Sequence, residues 1–393
     1  MNVLVCTVFK LPHVGGASTH IELLIKTLKG RGVHVSLISG NDLSWSWCSR
    51  FSYVVRRSYS KDRARVHRLD CLVEKMAELI RTAIKRSPIE SVIHCHDPLA
   101  TCAALRAVSG NMPIFQTVHG PWSKENGADS AESFSAFNDA IRDLEHEAYS
   151  QADMLIAVDR GQAEILRHDF NVEEQRLKII ENAVDGESLG GLPVRSSMLG
   201  LPAQYFLVPR RLVPKNGVEF ALRAFSILKN KGVCLLIAGD GLLGDSLKLL
   251  SSTLEISNRV YFLGDIQRDD LIPIMKQSVA VIVPSVPVNG VVEATSLAVL
   301  EAMACGVPVI GSSIGGIRDI IVDERYGLLV EAGNSDDIAD AMSRVLAMGH
   351  EKRHHLIENA QQRISERFDV KNWIARIIDT YGYILMHRRD GNK

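Results

Sequence analysis

The 393-residue chain has no apolar run that approaches the ~20 residues of a bilayer-spanning helix. Its opening, MNVLVCTVF, goes straight into strand-like sequence with no basic leader, long apolar core or small-residue cleavage site. Neither sign of charge is in excess. The 45 Lys and Arg balance 46 Asp and Glu, leaving a formal net charge of −1 and no global electrostatic case for a nucleic-acid partner. Cysteine is sparse, odd in number and scattered: Cys6, Cys48, Cys71, Cys95, Cys102, Cys234 and Cys305 form no CxxC pair. Most of the seven sit in apolar runs, where cysteine behaves as a small hydrophobe. Together these absences point to a cytoplasmic chain. No internal sequence repeat is visible.

What is present is ordinary globular usage, 46% hydrophobic and 23% charged, in a chain too long for one core, so two domains are expected. Short β-branched runs alternate with amphipathic helical stretches, the pattern of parallel α/β architecture, and the pattern occurs twice. In the first half, 2–8, 33–39, 92–96, 114–119 and 154–158 read as strands, with a helix over 19–29 closed by Gly30. In the second half, 205–208, 233–238, 260–263, 279–283 and 307–311 repeat the arrangement. The segment 186–203 is rich in Gly, Ser and Pro, has no sustained period, and reads as a linker. This gives a first domain over 1–185, a second over 204–368, and a long final helix over 369–393 that can cross back to the first domain. Ligands of open α/β sheets bind beyond the carboxyl ends of the strands, so chemistry is sought immediately after each strand.

The strongest signal is Glu293-Ala-Thr-Ser-Leu-Ala-Val-Leu-Glu301. Thr295 or Ser296 is a natural N-cap for a helix that runs from Leu297 to Cys305 and ends at Gly306. Glu293 then precedes the helix, and Glu301 lies one turn in, on the face of Leu297. The amides at the helix start form an anion site between the two carboxylates. Taken alone, such a pair also fits an early Glu complementing the helix dipole. A second cluster, Arg210-Arg211-Leu-Val-Pro-Lys215-Asn216-Gly217, follows the strand YFLV; fixed cations at this place stabilise a departing diphosphate. Third, Gly15-Gly16 precedes the first helix, where paired glycines let a backbone approach an anion, although they do not form GxGxxG.

His119 ends a strand and precedes Gly-Pro-Trp, a position from which it can touch a ligand. His94 and His96 alternate on one strand face and invite a metal reading; no third ligand at sensible spacing supports it, and lining or core histidines fit better. Asp97-Pro98 reads as an N-cap with Pro at the first helical position. Ser44-Trp45-Ser46-Trp47 followed by Arg50, Arg56, Arg57, Lys61, Arg63, Arg65 and Arg68 suits a membrane interface or an anionic lipid-linked acceptor, and equally a solvated loop and helix face.

Glu293 and Glu301 with their spacing, followed by AMACGVPVIGSSIGGIRDII and YGLLVEAGNSDDIADAM, resemble the family 4 retaining glycosyltransferases (glycosyl transferases group 1). The resemblance extends over nearly the whole chain through VGGASTHIELL, TVHG, ENAVD, RRLVPKNGVEFALRAF and AGDGLLGDSL. It implies the α/β GT-B fold, two Rossmann-like domains facing across a cleft, and transfer of a sugar from a nucleotide-sugar donor to an acceptor hydroxyl with retention. UDP is the donor nucleotide commonest among such enzymes. By the resemblance Glu301 holds the ribose, Glu293 and His119 contact the donor sugar, and Gly15 and Gly16 face the diphosphate or acceptor. Thr295, Ser296 and Leu297 take the diphosphate at the helix start, with Arg210 beside it. Arg211 matches the family arginine. The family lysine stands immediately before the glycine, where this chain has Asn216; Lys215, one residue earlier, is taken as its counterpart and, with Arg211, is implied to stabilise the leaving charge. Side chains supply the cations, so no metal or other cofactor is implied. Three sets of products stay open: polysaccharide, glycolipid and small-molecule glycosides. So do two alternatives of the same fold, a nucleotide-sugar epimerase and an inactive sugar-nucleotide-binding subunit; a phosphorylase lacks its cofactor lysine here. Peripheral contact with the inner membrane face stays open with the Trp and Arg stretch.

Overall fold

The computed structural model of the chain describes residues 1–12, 15–43, 61–85, 91–108, 110, 112–124, 135–191 and 200–391. The chain divides into two compact units: Met1–Glu181 together with Trp373–Lys393, and Asn182–Asn372. Ser44–Trp47, Arg50, Arg56 and Arg57 lie outside the described residues. Six of the cysteines are described, and all six are free thiols.

In the first unit six parallel strands form one sheet: β1 (Asn2–Cys6), β2 (His34–Ile38), β3 (Ser91–Cys95), β4 (Ile114–Val118), β5 (Met154–Ala157) and β6 (Leu177–Ile179). They are ordered β2-β1-β3-β4-β5-β6. β3 and β4 are buried at every position, as expected of central strands covered by helices on both faces. The helix Pro98–Ala107 starts where sequence chemistry starts it: Asp97 accepts the Ala100 amide at 2.8 Å and Pro98 occupies the first turn. The first helix begins at Gly16, three residues ahead of the sequence-based boundary, with Gly15 as its N-cap. Part of the last helix, Val370–Gly391, belongs to this unit from Trp373 onward. Its Tyr381 is buried against β3 and β4, and Arg388 binds Asp153 and the Gly110 carbonyl.

The second unit is a second six-stranded parallel sheet: β7 (Tyr205–Pro209), β8 (Cys234–Ala238), β9 (Val260–Gly264), β10 (Ala280–Val283), β11 (Val309–Ser312) and β12 (Leu328–Val330). Its order is β12-β11-β10-β7-β8-β9. Apolar clusters cover both faces of this sheet. Residues 186–191, read from sequence as the start of a linker, instead form a short helix. Asp185 accepts from the Ser188 amide at its start, and Leu189 buries itself in the unit's core, which offsets the helix-weakening glycines.

Both sheets reverse direction once as the chain is followed, between β1 and β3 in the first unit and between β7 and β10 in the second. Doubly wound sheets bind ligands beyond the carboxyl ends of the strands at such a reversal. The chain is therefore two Rossmann-like units, as the resemblance implies.

Candidate active site

Arg210 leaves the carboxyl end of β7, and Ser285 follows β10, so the two residues flank the reversal point of the second sheet. Arg210 grips Glu293 with both ends of its guanidinium: Nη1 donates to Oε1 at 2.9 Å and Nη2 to Oε2 at 2.7 Å. Nη2 also reaches the Asn216 side-chain oxygen and, at 3.0 Å, the Ser285 hydroxyl. Asn216 is buried and is itself fixed, its Nδ2 donating to the Arg211 carbonyl at 2.7 Å. The side chains of Arg210 and Glu293 are only 11% and 14% exposed, which makes this a desolvated bidentate pair rather than a surface one.

The loop carrying Glu293 is shaped by sequence. Val288-Asn289-Gly290-Val291 closes a two-residue turn with positive φ at both central residues, 51° and 77°, and reciprocal Val288–Val291 backbone bonds. Beyond it, the IGGI segment lies against the backbone of Glu293–Thr295. Gly316 donates its amide to the Glu293 carbonyl at 3.0 Å, and a Cβ on Gly316 would stand 2.5 Å from Ala294 C and Thr295 N. The glycines of this motif exist to let two backbones touch. Asn182, of the ENAVD segment, holds the same loop from another side by donating to the Thr295 carbonyl at 2.9 Å.

Ser296 is the N-cap of the helix Leu297–Ala304, although its side chain makes no capping hydrogen bond. Thr295 and Ser296 are buried and Leu297 is half-buried. Glu301 lies one turn in, buried, and accepts from Arg268 Nε at 2.6 Å.

In the first unit the reversal point is bounded by Thr7 and Val8 after β1 and by His96 and Asp97 after β3. Asp97 caps the following helix with one oxygen and takes the Thr7 hydroxyl (2.9 Å) and the Val8 amide (2.8 Å) with the other. His119 follows β4, with its Nε2 3.4 Å from His96 Nδ1. The His119-Gly-Pro-Trp turn is anchored by Glu145, which is fully buried and accepts from the Trp122 amide and the Ser123 hydroxyl. Gly15 is half-buried and Gly16 exposed at the start of the first helix.

The profile described as Glycosyl transferases group 1 matches residues 199–363, and that described as Glycosyltransferase Family 4 matches residues 14–188. An uncharacterized glycosyltransferase of Methanocaldococcus jannaschii, MJ1607, is 30% identical over 303 residues, 74% of each chain. The chain belongs to the group 1 glycosyltransferases. Among solved structures this glycosyltransferase is similar to a sucrose-phosphate synthase from Thermosynechococcus elongatus, with a TM-score of 0.77 at 19% identity, covering 98% of this chain and 99% of the other. It is also similar to Anabaena Alr3699/HepE in complex with UDP-glucose, with a TM-score of 0.69 at 18% identity, covering 97% and 99%. At these identities the likeness is one of fold.

The glycosyltransferase sets its two carboxylates in opposite directions. Burial pushes Glu293 up, but the Arg210 charge and hydrogen bonds, helped by Lys215 and Ser296, outweigh it and hold the carboxyl below its ordinary value. Burial also pushes Glu301 up, and Arg268 alone does not overcome it, so this carboxyl stands above its ordinary value.

The structure brings Arg210, Ser285, Asn216 and Glu293 into one cluster and places Arg211 exposed in the same loop. Lys215 is half-buried on the short 3-10 turn Pro214–Asn216, its carbonyl taking the Val286 amide at 2.9 Å. Sequence reasoning missed Arg268, Ser285, Asn182 and Glu145. Arg268 opens the helix Arg268–Gln277, just after β9, and the search for chemistry behind each strand could have found it there. His94 resolves as a core residue: Nδ1 meets the Tyr381 hydroxyl at 2.5 Å and Nε2 the Thr117 hydroxyl at 2.8 Å. Of the basic stretch, Arg63 and Arg68 are exposed on the helix Lys61–Ile84, while Arg65 lies 5.7 Å over the Phe137 ring. Among the described residues no helix is long and apolar enough to cross a membrane.

Proposed function

We propose that this glycosyltransferase moves a hexose from a nucleotide-sugar donor, a UDP-sugar in the first instance, to an acceptor hydroxyl with retention at the anomeric carbon. The observation that carries the reading is the buried Arg210–Glu293 pair beside the start of the Leu297–Ala304 helix, with Glu301 one turn further on. A diphosphate suits the helix start, where backbone amides and the helix dipole favour negative charge. An ionised Glu293 suits a sugar whose ring gains positive charge in the transition state. Glu301 is assigned the ribose and His119 a hydroxyl of the donor sugar. Arg210 is committed to Glu293, so Arg211 and Lys215 are the cations assigned to the departing diphosphate. Side-chain cations in this role make a divalent metal at the leaving group unnecessary. The acceptor oxygen bonds to the anomeric carbon on the face from which the diphosphate leaves. The carbon–oxygen bond to phosphate breaks, and the acceptor proton passes to a diphosphate oxygen.

The UDP-glucose complex of Alr3699/HepE, a protein of the same fold, supports the choice of donor. The product is assigned to polysaccharide, glycolipid or small-molecule glycosides, with peripheral membrane contact in the glycolipid case. A panel of UDP-, GDP- and ADP-sugars tests the reading by thermal shift and by release of nucleoside diphosphate in chelator. UDP-sugars should raise Tm and turn over without added metal; stabilisation by none of the panel would overturn donor binding.

A further inference from the structure

Sequence spacing offers His94 and His96 no third metal ligand. The fold supplies different partners: His20 from the helix Gly16–Gly30 and His119 from the end of β4 converge on His96, and His94 drops out because both its nitrogens are already bonded. Ring nitrogens of His20, His96 and His119, one from each, all lie within 4.8 Å of one another. The ring centroids form a nearly equilateral triangle, 4.7 Å for His20–His119, 5.4 Å for His20–His96 and 5.7 Å for His96–His119. Three imidazoles around one tetrahedral ion at a metal–nitrogen distance of about 2.0 Å have bonded nitrogens about 3.3 Å apart and centroids about 5 Å apart.

The observed His96 Nδ1–His119 Nε2 separation of 3.4 Å fits that spacing and is long for a hydrogen bond. The other nitrogen of His96, Nε2, is buried and has no hydrogen-bond partner among the described residues. An imidazole gives an ion only one nitrogen, so with Nδ1 facing His119 the ion is indicated by that spacing and by the triangle of rings.

We propose that His20, His96 and His119 bind one first-row divalent cation of the zinc class, through three nitrogens and with a fourth position open to an oxygen ligand. Imidazole ligands select zinc, cobalt, nickel or copper over magnesium and calcium. Three neutral ligands leave the ion its full double charge, so the open position favours water, hydroxide or another oxygen donor. The site lies in the first unit and shares His119 with the donor reading, one ring nitrogen going to the ion and the other to the sugar hydroxyl. Metal binding itself does not depend on the chemistry assigned to Arg210, Glu293 and Glu301 in the second unit.

The test uses the full chain without a histidine tag, stripped with chelator and titrated with Co2+. One saturable equivalent is expected, with the ligand-field bands of four- or five-coordinate cobalt, displaced by Zn2+. X-ray absorption on the loaded wild type should show a shell of about three imidazole nitrogens, a readout that depends on no variant folding. His20→Gln and His96→Gln should each weaken Co2+ binding by at least roughly ten-fold. The exposed pair His354 and His355, changed to alanine, should leave binding unchanged. A spectrum that stays that of aqueous Co2+, a first shell without imidazole, or affinity unchanged in both His20→Gln and His96→Gln would overturn the site. A failure of the UDP-sugar panel would leave it standing.

Discussion

Arg210 and Glu293 are single residues whose meaning depends on each other. A desolvated carboxylate next to a guanidinium is tolerable; alone it is not. Replacing Arg210 by Met removes the charge that holds Glu293 below its ordinary value and leaves the carboxyl buried. The expected cost is about 3 kcal/mol, since breaking a buried pair by deleting one partner leaves an uncompensated charge. Arg210→Met with Glu293→Leu should recover much of that loss, so a double-mutant cycle in urea should show strong coupling, and coupling near zero would show that the pair contributes nothing. The pH dependence follows in sign. Glu293 is held low, so in the wild type it stays ionised into acid; without Arg210 its carboxyl rises, and the acidic limb of kcat/KM should move to higher pH.

At the scale of elements, the glycines of IGGI act through the loop they touch. Gly316→Ala places a methyl group against the Ala294–Thr295 backbone, which cannot yield without moving Glu293. Overpacking of this kind costs about 1–3 kcal/mol, and here the displaced group carries the proposed chemistry. Gly316→Ala should therefore lower both Tm and kcat, whereas Gly382→Ala, inside the helix Val370–Gly391 with open space around its Cβ, should lower neither.

The same scale shows what was legible in the sequence. Short β-branched runs between helical stretches showed ten of the strands, with ends shifted by only a residue or two. β6 (LKI) and β12 (LLV), three residues each, are too short to carry a period and were not read. The Glu293–Glu301 motif was legible because both carboxylates flank one local helix start. Arg268, which reaches Glu301 across 33 positions, and His20, which reaches His96 across 76, are products of the fold and leave no trace in spacing. The arginine pair shows the limit of register. The resemblance puts Arg211 at the family position, while the structure turns Arg210 inward, its two terminal nitrogens bonded by Asn216, Ser285 and Glu293.

At the scale of the whole molecule, the two units should respond differently to acid. His94, His96 and His119 are all in the first unit, and burial, followed by neighbouring histidine charges, holds each below its ordinary value, His94 down to about 3. Their unfolded counterparts protonate near 6.5, so the stability they contribute is complete above that pH and is lost as pH falls below it, for His94 down to about 3. Two carboxyls in the same unit work the other way. Burial raises Asp97 and Glu145 to about 6, against backbone and hydroxyl hydrogen bonds that lower them. Their contribution is complete below their unfolded values of 3.8 and 4.5 and is lost as pH rises to about 6. The first unit should therefore lose stability from about pH 6.5 downward, each histidine contributing up to about 1.4 kcal/mol per pH unit. The two carboxyls offset part of that loss below about pH 6, but three histidines outweigh them. The two described tryptophans, Trp122 and Trp373, belong to the first unit, and Trp45 and Trp47 fall within its stretch of sequence, so tryptophan fluorescence reads the first unit while far-UV circular dichroism reads both. In metal-free protein the fluorescence-detected Tm should fall between pH 7 and 6 faster than the later dichroism transition. His94→Gln should reduce that fall, and equal slopes for the two probes would show that the buried histidines do not set the acid limit of the first unit.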